Sequence, residues 1–407
     1  MEKNNSRLFL LCFLGMLTAF GPFVTDMYLP TLPDMTNSFM TTSSMVQLGL
    51  TTSMIGLAVG QLLFGPLSDK YGRRSPLIVA MVLFLLSTLG CIFSKTILQF
   101  AFWRFVQGMS GAGGIVISRS VAADKFTGKD LAKTLALIGA INGVAPVTAP
   151  IIGGVLAETT GWKGIFWILF VLGVVLLLAS ICFSETYPKR NRQNMNWFEL
   201  LRTFRLVIRN RSYVCYVLQF GFAQGVLFAN IASAPFIMQQ HYGFSPMMFS
   251  ICFGINALVI VLSSASAVRF SHPENALYSG SRGMFFVAVF LFLALILDCS
   301  FWIYEIFLVG LLFMLGLTFT ASNTLALDCE RDNSGTASAL LGALGFAFGG
   351  LVSPIVGLGN MLVSTGFVFL VGSGGAYVCA RLALNRPFLL ARYYKKVMNY
   401  IGVSIGL

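Results

Sequence analysis

Gly65-Pro66-Leu67-Ser68-Asp69-Lys70-Tyr71-Gly72-Arg73-Arg74 is a polar, basic reversal set between two long apolar runs. Gly65 and Gly72 permit a tight turn, Asp69 can cap a helix or form a salt bridge, and Arg73 and Arg74 suit an anionic headgroup surface. About 20 apolar residues in helix cross a ~30 Å hydrocarbon core. On either side of this turn, runs of that kind lie near 8–30, 44–65, 76–94, 98–122, 131–157, 164–184, 212–237, 246–268, 283–299, 302–326, 336–359 and 362–383. The chain therefore reads as an all-α integral membrane protein of twelve spans.

Composition agrees with that reading and excludes others. A 407-residue chain with 57% hydrophobic and only 10% charged residues could not hide its apolar surface in water. The net charge of +12 falls in short clusters between apolar runs and not in one stripe, which argues against a nucleic-acid partner. The eight cysteines are scattered singly, so neither a disulfide framework, a metal site nor a cofactor is expected. No phosphate-binding loop or dinucleotide fingerprint occurs. No clustered His, Ser or acidic set outside the spans suggests an enzyme. Lys3 and Arg7 before Leu8–Phe20 look like the start of a signal peptide, but the apolar run continues past Gly21-Pro22 without a small-residue cleavage site, so an uncleaved first span is expected.

Charge also orients the spans. All but three of the 27 Lys and Arg residues fall on the face that carries Arg73 and Arg74; Lys95 and Lys163 fall on the other, and Arg104 lies within a span. The positive-inside rule then makes both termini cytoplasmic. Trp103, Trp162, Trp167 and Trp302 map near the outer face, as a headgroup belt would require. The expected organisation is a six-helix bundle over 1–185, a cytoplasmic linker over 186–211, a second six-helix bundle over 212–384 and a basic tail over 385–407. Within the linker, Trp197, Leu201, Phe204 and Ile208 share one helical face and Arg202, Arg205 and Arg209 another. Such a helix can lie on the inner membrane surface or pack on protein.

The turn at 65–74 resembles the G-x-x-x-D-x-x-G-R-[RK] signature of the major facilitator superfamily. In that family the aspartate pairs with a basic residue at the cytoplasmic end of span 4, which implies an inner gate of Asp69 with Arg119, supported by Gly65, Gly72 and Arg73, that closes when the cavity faces out. The simpler alternative is that Arg73 and Arg74 only obey the positive-inside rule. Phe102-Trp-Arg104-Phe-Val-Gln107-Gly108 is similar to the family's R-x-x-Q-G motif. Span 5 holds Gly139-x-x-x-Gly143-x-Ala145-Pro146-x-x-Ala149-Pro150-x-x-Gly153-Gly154, similar to the antiporter motif, with Ala149 where the family usually has glycine. The small residues at 145, 149 and 153 form one smooth face for helix approach. With Thr25-Asp26-Met-Tyr-Leu-Pro-x-Leu-Pro33 and Gly161-Trp-Lys163-Gly-Ile-Phe-Trp167, the chain resembles the bicyclomycin-resistance (Bcr/CflA) branch of drug–proton antiporters; Lys163 stands where that branch usually has arginine. Ser233-Ala-Pro235 and Gly335-Thr-Ala-Ser-Ala339-Leu-Leu-Gly342 carry the likeness into the second half.

Asp26 is the chemically decisive residue, since a carboxyl at lipid depth marks a proton or substrate path by default. Measured from Pro30, Asp26 lies about 6 Å deep, and Arg104 lies about 9 Å from the start of its span. These similar depths allow either a permanent ion pair joining two helices or a proton-coupling site whose affinity changes with separation and hydration. Tyr28, Gln47, Gln107, Asn142, Gln224, Asn230, Asn256 and Asn323 are candidate cavity residues among abundant Phe and Met, a lining suited to amphipathic solutes more than to sugars. Glu305, near the outer end of span 10, is either a second protonatable group or an ordinary hydrated one. The resemblance implies a monomeric proton-coupled exporter in a bacterial inner membrane, with a small molecule and protons as its partners. A symporter or facilitator on the same fold, or a non-coupling channel or sensor, is the rival reading.

Overall fold

The computed structural model describes residues 5–188, 197–330 and 334–384. Helix follows helix: α1 (Arg7–Asp26), a 3₁₀ turn (Leu29–Thr31), α2 (Leu32–Ser38), α3 (Ser43–Tyr71), α4 (Arg74–Ile92), α5 (Ile97–Lys125), α6 (Gly128–Cys182), α7 (Trp197–Arg209), α8 (Arg211–Phe236), α9 (Pro246–Ser266), α10 (Pro273–Ile296), α11 (Phe301–Cys329), α12 (Ser334–Val356) and α13 (Met361–Leu384). Side-chain caps fix several starts. Ser6, Thr42, Thr96, Asn210 and Ser245 accept backbone N–H groups of α1, α3, α5, α8 and α9, relieving the donors a helix leaves unpaired.

Ten segments among the described residues are long and apolar enough to cross a membrane. One of them, Leu137–Cys182, lies within α6 and is two spans, because Gly161 adopts φ 63°, a left-handed conformation that breaks the helix and suits glycine. α5 is missing from the ten despite its 29 residues, because Arg104, Arg119 and a run of glycines dilute its apolar character. With these two taken into account, twelve spans stand as expected. The first is longer than the sequence suggested. It runs from Arg7 to Ser38, since the prolines at 30 and 33 sit in the 3₁₀ turn and the first turn of α2, where proline needs no N–H. Asp26 is thus twelve residues from the end of its span, about 18 Å at helical rise and not about 6 Å.

The first half packs α1 on α5 and α6, α3 on α5, and α4 on α5 and α6; the second packs α8 on α11, α12 and α13, and α10 on α11 and α13. The halves meet along two seams, α3 with α12 and α6 with α9. In span order these are 2 with 11 and 5 with 8, so equivalent positions of the two halves meet crosswise, a repeat invisible in the residues themselves. Small residues permit the closest approaches. A Cβ at Gly56 or Gly60 of α3 would run into the backbone of Phe105 or Met109 of α5, as membrane helices without a hydrophobic driving force require. α7 packs Phe204 and Val207 on an apolar cluster of the second half, while Leu206 and Ile208 stay exposed. Trp162 departs from the expected belt, being buried against Phe39, Phe100 and Phe166. The expected tail, 385–407, lies outside the described residues.

Candidate functional site

A cavity of about 500 Å³ lies between the halves. α1, α3, α5 and the first part of α6 form one wall, where Thr25, Asp26, Gln61 and Arg119 face it; α8, α9, α11 and α12 form the other, with Gln224, Asn230 and Asn256. Leu57, Ile115, Phe228, Phe253, Phe319 and Phe346 supply much of the remaining surface. A mostly apolar chamber with a few convergent polar groups is the usual form of a small-molecule site. Asp26 reaches it because α1 ends there, giving way to the 3₁₀ turn. Neither Asp26 nor Arg119 forms an ion pair among the described residues. Both side chains face an occupant of the chamber.

Arg104 sits behind the Asp26 wall, fully buried. Its Nη1 donates to Val24 O at 3.2 Å and to Gln107 Oε1 at 2.5 Å, and its guanidinium carbon lies 4.4 Å from the Tyr28 ring centroid and 5.7 Å from that of Phe166. A desolvated cation over aromatic faces gains roughly 2 kcal/mol. Among the described residues, no partner lies in hydrogen-bond geometry with Nε, Nη2 or the Tyr28 hydroxyl. The permanent Asp26–Arg104 ion pair allowed by the sequence is absent. Arg104 instead contacts the last turn of α1 through Val24 and keeps unused donors.

The signature turn is organised differently. Arg73 donates Nη1 to Asp69 at 2.5 Å and to Ser68 Oγ at 2.8 Å, while its Nε and Nη2 donate to Asp124 at 2.8 and 3.2 Å. Tyr187 covers it, with its ring centroid 4.4 Å away. Glu185 Oε1 accepts from the Arg73 backbone N–H and Oε2 from that of Arg74, an anion at the start of α4 where the helix dipole favours one. Burial alone would loosen the proton on Arg73, but hydrogen bonds and charge from Asp124 and Asp69 hold its pKa above the ordinary arginine value. It is a fixed positive charge.

Several expected placements change. In this arrangement Asp69 pairs with Arg73, while Arg119, on α5, faces the chamber. Gly72, at φ 89°, makes the reversal alone, whereas Gly65 lies inside α3. Of the candidate lining, Gln224, Asn230 and Asn256 face the chamber. Gln47 instead donates to Ala232 O, Gln107 joins Thr88 to Arg104, Tyr28 stacks on Arg104, and Asn323 is exposed outside it. The side chain of Asn142 lies outside the described residues.

The span 5 motif has two working faces. The stripe through Ala145, Ala149 and Gly153 runs along α1: Gly15 meets Ile141 at one end, and a Cβ at Gly153 would strike Met27 O at the other. Gly143 and Gly154 face Val261 and Ser250 of α9 across the seam, Pro146 lines the chamber, and Pro150 lies in the same helix. Sequence reasoning missed Gln61, Asp124, Glu185 and the inward face of Arg119. Only Asp124, an acid beside Lys125 at the end of a span, carried a signal that could have been read.

Residues 11–354 match the Major Facilitator Superfamily. A twelve-span helical chain whose halves enclose such a chamber is a membrane transporter, and this chain belongs to that superfamily. It is 38% identical over 368 residues to YdgK of Bacillus subtilis, an uncharacterized transporter of the superfamily, covering 87% of this chain and 90% of the relative. It is 30% identical over 404 residues to a bicyclomycin resistance protein homolog of Haemophilus influenzae, covering 97% and 99%. Among solved structures, an inward-facing, unoccupied bacterial homolog of the human lysosomal transporter Spinster matches with a TM-score of 0.75 at 15% identity, covering 93% of this chain and 98% of that one. A D-xylose–proton symporter matches at 0.74 and 14%, with 93% and 98% covered.

Proposed function

We propose that this transporter exchanges protons for small amphipathic compounds, carrying them out across a bacterial inner membrane by alternating access. The observation that supports this most is Asp26, a carboxyl that forms no ion pair among the described residues and faces a largely apolar chamber between two bundles. Relatives named for bicyclomycin resistance and, at 29% identity over part of their length, chloramphenicol resistance point the same way. Sugar transport, known by name for one structural neighbour, suits this lining poorly, because sugars need dense polar contacts.

In this reading the Arg73 end is cytoplasmic and the structure faces inward. Hydrogen bonds between the halves gather at the opposite end: Gln47 to Ala232 O, Gln239 to Pro30 O, Ser44 to Pro354 O, and Met247 N to Glu158. Arg104 and Asp26 approach in the alternate state, when the unused guanidinium donors of Arg104 tune the proton on Asp26. Asp69 and Arg119 close the inner gate in that same state. The Gly143 and Gly154 face of α6 serves as the seam on which the halves rock. One proton entering across about 150 mV supplies about 3.5 kcal/mol, enough to hold a neutral solute at a gradient of roughly a few hundredfold.

Ethidium efflux into energised inverted vesicles tests the central step. Asp26→Asn is expected to reduce it to the level of vesicles lacking the protein while expression is unchanged; undiminished efflux contradicts the assignment. For the gate, Asp69→Lys is expected to weaken transport and Arg119→Asp in the same chain to restore part of it. A double variant no better than either single one removes the pair.

A further inference from the structure

The second half carries unmet polar atoms that the exporter reading does not use. Asn256 on α9 faces the chamber at 1% exposure, and among the described residues neither its Oδ1 nor its Nδ2 has a partner in hydrogen-bond geometry. Beside it, within reach of the Asn256 amide, lies the carboxyl of Glu305 on α11, whose Oε2 is buried with no partner in hydrogen-bond geometry among the described residues. Glu305 precedes the chamber-lining Leu312 by seven residues, which is two helical turns, so both share one face of α11.

Buried polar atoms normally find partners, and an unmatched pair next to a cavity marks a place that water or a ligand fills. The titratable neighbours of Glu305 are Cys252 on α9 and Tyr304 on its own helix. Neither brings positive charge, and Glu305 forms no ion pair among the described residues. Asp26 and Arg119 are the charges across the chamber. A carboxyl at membrane depth without a countercharge is a candidate proton path. Asn256, whose amide nitrogen and oxygen both lack a partner in hydrogen-bond geometry among the described residues, borders both Glu305 and the chamber.

We propose that Glu305 is a second proton-binding group of the chamber, reached from it through Asn256. The chemistry is protonation alone: a proton from chamber water adds to a carboxylate oxygen of Glu305 and later leaves by the same route, with no electron transfer. The proposal rests on reading the cavity as the transport chamber, but its test does not need transport.

Infrared difference spectra of the purified full chain in lipid nanodiscs, recorded after a pH jump, resolve the carbonyl stretch of buried protonated carboxyls. Two signals are expected, one lost in Asp26→Asn and the other in Glu305→Gln. In Asn256→Leu, where an apolar side chain blocks the connection, the Glu305 signal should equilibrate more slowly. Asn256→Ala should leave its rate intact and move its band. A Glu305→Gln spectrum identical to the unaltered protein overturns the proposal, as does wild-type equilibration in Asn256→Leu, which would mean that outer water alone serves Glu305. An unmoved band in Asn256→Ala also overturns it. Failed ethidium efflux with both carboxyl signals present would count against the exporter reading and leave this one standing.

Discussion

The rim around Arg73 and the chamber around Asp26 use the same pair of chemical groups in opposite ways. At the rim, one guanidinium is shared by two carboxylates and a hydroxyl at 2.5–3.2 Å. In the chamber, Asp26 and Arg119 face the same space without an ion pair among the described residues, and Arg104 behind the wall has two nitrogens unmatched. Saturated charges hold a turn in one geometry, whereas unsaturated ones can still bind a proton or a solute. Proximity to a charge in the sequence therefore says little about function until the pairing is known.

That contrast is sharpest in the behaviour of variants. The largest effect is expected from Asp26→Asn, which should eliminate ethidium efflux yet leave the thermal unfolding midpoint in detergent unchanged, because no ion pair is lost. Arg73→Ala should do the reverse in kind, destabilising the protein by about 1.5–3 kcal/mol through loss of charged hydrogen bonds; a midpoint equal to that of the unaltered protein would show that the rim holds nothing. Gly72→Ala places a side chain at φ 89° and ψ 170° and should cost about 1–3 kcal/mol, visible as a lower midpoint. Asp69→Asn should cost least, under about 1 kcal/mol, because that carboxylate is 42% exposed whereas Asp124 is 13% exposed. A larger loss than in Asp124→Asn would reverse the ranking of the two acids.

The helices were legible because lipid demands about 20 apolar residues per crossing, and the chain meets that demand with little ambiguity. Prolines misled at only one point: Pro30 and Pro33 read as the end of span 1, but at a 3₁₀ turn and a helix start they continue it. The site was less legible. Polar residues at membrane depth satisfy one another as readily as they line a cavity; Gln107 bonds Thr88 and Gln47 bonds a backbone carbonyl. Which face of α5 carries Arg119 depends on helix rotation, and that is set by the tight contacts of Gly56, Gly60 and Gly108 with their partner helix. Neither feature is written in the spacing of a single motif.

The central claim concerns one carboxyl, and proton release tests it most directly. Purified protein in weakly buffered detergent with a pH-indicator dye is mixed with ethidium, and the released protons are counted. The unaltered chain is expected to release protons on binding and Asp26→Asn to bind ethidium with fewer released. Equal release from both would contradict the account.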